Sequence, residues 1–296
     1  MTSSQAPESV TAAQLPPNPI SESASAAWQL FLAIGAWLIS CGFLLIVPAL
    51  VALPYIIYQS SAEPGFRAED LATNKTVILL SLLGVIPAHA LTIFVAWVVV
   101  TRWKKHPFWE TIRWRWPDDA DPLIRYFRVG AIVLLAMALL ALGWLITWIV
   151  GGSETQIDQL IKSSTAARIT TAFLAAATAP FVEELIYRGV LYPAFDRAFG
   201  TVCAVLVVSV MFASIHLLQY HNNLGVIAVI AMLSISLTLV RARTGRLFPC
   251  FLMHLVFNGI QSIVIVAAPY LESAPHPQKT GEAISQLIAL VFRPLG

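Results

Sequence analysis

Seven stretches of about 20 mostly apolar residues divide this chain, and each is long enough to cross a bilayer's hydrocarbon core as a helix. They run from Ala26 to about Tyr58, then Thr76–Val100, Phe127–Val150, Ala166 to about Phe195, Thr201–Leu218, Leu224–Val240 and Leu247–Ala268. The first has length to spare and can tilt or bend near Pro48 and Pro54. Charged residues make up 11% of the chain, against about 25% in a soluble domain. The fold this predicts is all-α, a polytopic transmembrane helix bundle of about seven spans. A nine-residue apolar stretch, Ile284–Phe292, is too short to span and suits a C-terminal half-helix.

The segments between the spans set the organisation. Residues 1–25 hold no Lys or Arg and are rich in Ser, Ala and Pro, a composition that cannot build a core and predicts a disordered tail. A cleaved signal peptide needs a basic region followed at once by an apolar one, so the first span is expected to stay. Residues 26–150 form an N-terminal set of helices with a basic, Trp-rich loop at 101–126, residues 166–268 a second set, and residues 269–296 a tail. That loop, with the two residues after it that open the third span, carries Arg102, Lys104, Lys105, Arg113, Arg115, Arg125, Arg128 and four tryptophans. Such a mixture suits a cytoplasmic segment that anchors at the headgroups or docks a substrate. The Lys/Arg bias then places the N-terminus in the cytoplasm of a multi-pass cell-membrane protein. A net charge of +2 without a basic run gives no nucleic-acid partner. Cys41, Cys203 and Cys250 are far apart and read as packing residues.

Ionisable groups inside spans are costly, and nearly all of them fall in the second half. Glu183, Glu184 and Arg188 lie on the fourth span, His216 on the fifth, and His254 with Asn258 on the seventh. Only His89, beside Pro87, lies elsewhere, and it reads as a structural histidine. Glu184 and Arg188 are four residues apart with the acid first, the favourable order for a pair on one helix face. Glu183 is turned about 100° away and faces another neighbour. Phe212 and His216 share a face, as do His254 and Asn258. Singly these are what structural residues look like; together, on three spans, they suit hydrolysis. A carboxylate in apolar surroundings is pushed toward the strength of a useful base. Histidine can hold the water or pass a proton, and His and Asn can stabilise an oxyanion. No Ser or Cys sits in a nucleophile motif. Metal-free glutamate catalysis and metal-assisted hydrolysis both stay open, the cofactor being none or a divalent ion such as zinc on Glu183, His216 and His254. The Arg188 charge weighs against an added cation.

The segments EELIYR (Glu183–Arg188), FASIH (Phe212–His216) and HLVFN (His254–Asn258) match EExxxR, FxxxH and HxxxN in order. In this they resemble the CPBP intramembrane endopeptidases, which include CAAX prenyl endopeptidases and bacteriocin-processing or self-immunity proteins. The resemblance covers roughly residues 166–268. It implies Glu183 as the base that activates water, His216 assisting, Glu184 with Arg188 as a supporting pair, and His254 with Asn258 around the oxyanion. The implied partners are membrane lipid and a peptide substrate, prenylated or otherwise membrane-associated. The implied function is an intramembrane endopeptidase cutting near the membrane face. Its rivals are a non-catalytic scaffold or self-immunity protein of the same fold, and a small proton-coupled transporter, which the lack of internal repeats weakens.

Overall fold

A computed structural model describes residues 19–116 and 122–272. The first 18 residues of the expected tail and the stretch at 284–292 lie outside the described residues. Most of these residues are helical and none is in a strand. Helix α1 covers Pro19–Ala62 and begins on a proline, whose missing N–H costs nothing at a helix start. Residues 19–25, expected in the tail, are therefore its first turns. Pro48 and Pro54 lie inside it. Helix α2 (Lys75–Thr101) starts on Asn74, whose side chain accepts from the N–H groups of Thr76 and Val77. It packs on α1 so closely that a Cβ at Gly84 would stand 2.6 Å from the Pro48 Cα.

Next come a short helix α3 (Phe108–Thr111), the long α4 (Pro122–Val150), and α5 (Gln156–Ser163), an amphipathic piece opened by a Thr155/Asp158 capping box. A continuous helical run then spans Thr165–Phe199. It consists of α6 (Thr165–Phe173), a π-helical turn over Leu174–Thr178, α7 (Ala179–Glu184), a second π segment over Leu185–Leu191, and α8 (Tyr192–Phe199). Helices α9 (Thr201–Tyr220), α10 (Leu224–Thr244) and α11 (Phe248–Glu272) complete the bundle. The last span continues through Pro269 to Glu272, because a proline in a final turn breaks little.

Six of these helices are long and apolar enough to cross a membrane. The fifth expected span falls on α9, whose stretch Thr201–Leu217 is apolar but shorter. The result is an all-α, multi-pass membrane bundle. Its buried apolar residues form two groups. One joins α1, α2, the second π segment, α8 and α9 around Leu185, Leu191 and Val208. The other joins α4, α10 and α11 around Leu140, Leu237 and Met253. The polar side chains of the second half lie along the seam between them.

Candidate active site

Two prolines give the helical run its π turns. The N–H of Ala179 bonds to Leu174 O, five residues back, and that of Tyr192 bonds to Tyr187 O, also five back. In that register the next donors would be residues 180 and 193. Both are proline and have no N–H. The carbonyls of Ala175 and Arg188 are thus left without a helical partner, and a buried carbonyl needs one. Each receives it from another helix. Asn258 on α11 donates Nδ2–H to Ala175 O at 3.1 Å, and Arg241 on α10 donates Nε–H to Arg188 O at 2.9 Å. His89 joins the first turn, its Nδ1 lying 2.9 Å from Thr178 Oγ1.

Between the two turns stand the glutamates. Arg188 is wholly buried, as a lone guanidinium could not be. It donates to Glu184 Oε1 at 3.0 Å, to Ser234 O and Oγ at 2.8 Å each, and to Thr238 Oγ1 at 3.2 Å. Its guanidinium also lies 4.9 Å from the Phe212 ring centre, a cation–π arrangement. Glu184, equally buried, shares Oε1 with a second donor, His254 Nδ1 at 2.8 Å. That bond fixes the histidine's orientation and puts its lone pair on Nε2 while the ring is neutral. Nε2 in turn lies 3.6 Å from Glu183 Oε2. Glu183 keeps 21% of its side chain accessible, whereas His254 keeps 2%. A closed carboxylate therefore orients a closed imidazole, which faces a more open carboxylate.

Phe212 forms the wall behind this pair. Its ring centre is 6.1 Å from that of His254, 4.8 Å from His216 and 5.0 Å from Tyr187, whose hydroxyl accepts from Trp37 Nε1 at 2.9 Å. His216 donates Nδ1–H to Phe212 O at 2.8 Å. Among the described residues Glu183 has its polar contact with His254 and none with His216. Asn258 spends an amide N–H on Ala175 rather than beside His254. No three His, Cys, Asp or Glu side chains among the described residues converge as a metal-ligand set, Glu183, His216 and His254 included.

Several contributors lie outside the three motifs. Ser234, Thr238 and Arg241 follow one another at spacings of four and three, which puts them on one face of α10. That pattern is visible in the sequence, but hydroxyls are easily passed over when only ionisable groups are sought. The Trp-rich loop divides: Trp103 and Trp109 are exposed, while Trp114 packs 5.3 Å from Phe181, 5.5 Å from Phe248 and 5.0 Å from Phe251. Phe181 lies two residues before Glu183, and Phe251 three before His254, so the loop covers the elements that carry the site.

Residues 165–260 match a family described as type II CAAX prenyl endopeptidase Rce1-like. The matched segment contains all three motifs, in agreement with the resemblance read from them. No curated protein and no solved structure matches the chain.

Proposed function

We propose that the protein is an intramembrane endopeptidase in which Glu183 activates water and His254, oriented by Glu184, shares the site with it. The contact that carries this reading is His254, whose Nδ1 is tied to Glu184 at 2.8 Å and whose Nε2 lies 3.6 Å from Glu183. Two acceptors at that separation favour a bridging hydrogen donor, and water supplies one. Glu183 takes a proton from the water as its oxygen attacks the peptide carbonyl carbon. The C–N bond then breaks, and the proton passes from Glu183 to the leaving amine. His216, with its proton held on Nδ1, offers Nε2 as an alternative to His254 for accepting the water's second hydrogen. Asn258 has a second amide N–H for the developing oxyanion.

The family match favours a peptide whose cleavage site reaches the protein through the membrane, and a prenylated CAAX sequence is the substrate to try first. Purified protein in nanodiscs, given a quenched farnesylated CAAX peptide, is expected to cleave it. Glu183→Gln should lower the rate by a factor of about 10² to 10⁴, the usual worth of a general base. A Glu183→Gln protein that cleaves at the wild-type rate would sink the proposal. An inert wild type that still retains membrane peptides would leave a binding role instead. Comparing membrane peptides in wild-type and Glu183→Gln cells identifies the natural substrate by what accumulates uncut.

A further inference from the structure

A cavity of about 690 Å³ lies between α1, the end of α2 and α8, and neither Glu183, His216, His254 nor Asn258 lines it. Its volume falls in the range of roughly 300–1,000 Å³ that ligand sites occupy. Its interior is apolar, walled by Leu32, Val99, Val190 and Ala194. Its mouth is cationic: Arg102 and Arg197 line it, with His106 beside them, and among the described residues no Asp or Glu does. Arg197 reaches across from α8 to donate to Gln29 of α1 at 3.0 Å, which holds a guanidinium at the rim.

The backbone beside the mouth is unusual. Arg102, Trp103 and Lys104 are three consecutive non-glycine residues with φ of 46°, 57° and 70°. Each such residue costs on the order of 1 kcal/mol or more. This turn ends α2 and sets Arg102 and Trp103 into the cavity lining, with Trp28 of α1 also among the lining residues. An apolar shaft with a positive, tryptophan-flanked mouth matches the two ends of one kind of molecule. We propose that this cavity is a binding site for an anionic phospholipid, with an acyl chain in the shaft and the phosphate between Arg102 and Arg197. Basic pockets between membrane helices recognise headgroups in this way.

The test uses the full-length protein in detergent, titrated with dioleoyl phosphatidylglycerol, with dioleoyl phosphatidylcholine or with inorganic phosphate, and read by native mass spectrometry. Wild type is expected to retain one phosphatidylglycerol at concentrations where phosphatidylcholine is lost. A basic residue near a headgroup contributes about 1 kcal/mol, a factor of about five. Arg102→Gln and Arg197→Gln, both at exposed positions, should each weaken retention about fivefold, and together about 25-fold. Lys75→Gln, at the opposite end of α2, should change nothing. Val99→Trp should also lower retention, by filling the shaft without touching charge. Equal retention of the two lipids, an effect of Lys75→Gln as large as that of Arg102→Gln, or phosphate binding as tightly as lipid would each overturn the proposal. Glu183→Gln should bind lipid like wild type, so failure of the catalytic reading leaves this one standing.

Discussion

Arg188 is the residue on which most of the site's polar contacts converge. It holds Glu184 in place, and Glu184 orients His254. Removing one member of a buried ion pair leaves the other charge uncompensated, at about 3–5 kcal/mol, whereas removing both charges together costs far less. Arg188→Met should therefore lower the unfolding midpoint in detergent sharply. The double variant Glu184→Gln/Arg188→Met should recover part of that loss while staying inactive, because His254 has lost its charged partner. A double variant less stable than Arg188→Met alone would show that Glu184 is not the group stranded by the single change. Glu183 lies outside this ledger. It is the more open carboxylate, and Glu183→Gln should change stability little while changing turnover greatly.

At the scale of elements, the helical run from Thr165 to Phe199 works because it is not uniformly α-helical. Pro180 and Pro193 each leave a carbonyl five residues back without a donor, and α11 and α10 reach in to supply one. Arg241→Met should strand the Arg188 carbonyl and cost about 1–3 kcal/mol. Adding Pro193→Ala restores a backbone N–H in register with that carbonyl and should return at least half of the loss, as read by thermal unfolding. No recovery would mean that proline is not the cause of the orphaned carbonyl. Legibility also divides by element here. The Glu184–Arg188 pair follows from a four-residue spacing within one helix, so it is readable from the chain. The meeting of His254 with both glutamates depends on how α11 packs against α7, and no local spacing encodes that. Trp114 was legible as an interfacial tryptophan, but its seat against Phe181 and Phe251 depends on a tertiary contact. The prolines and hydroxyls that matter most beyond the motifs, Pro180, Pro193, Ser234 and Thr238, were in plain view and lacked only a partner to give them meaning.

For the whole molecule, two apolar groups that share few side chains are joined by the buried polar seam, and the order of the helices assigns the ends of that seam to the two sides of the membrane. Leu247 N–H bonds to Arg113 O and Arg197 to Gln29, so the 102–116 loop, the end of α10 and the ends of α1 and α8 occupy one face. Ser153 N–H bonds to Asn222 O, which puts the α4–α5 and α9–α10 connections together at the other. The first face carries Arg102, Lys104, Lys105, Arg113, Arg115, Arg243 and Arg246; the second carries fewer, Arg67, Lys75 and Arg168 together with Lys162, which is paired with Glu154. Basic loops stay on the cytoplasmic side, so the first face is expected there, with the N-terminal end of α1. Single cysteines placed at Lys104 and at Glu154, in a chain whose Cys41, Cys203 and Cys250 are replaced by Ala, give the measurement. In intact cells a membrane-impermeant maleimide should label position 154 and leave position 104 unlabelled until the membrane is opened. Labelling of 104 in intact cells would reverse the orientation. It would also move the mouth of the Arg102–Arg197 cavity to the outer leaflet, where an anionic lipid headgroup would have to be met from the other side.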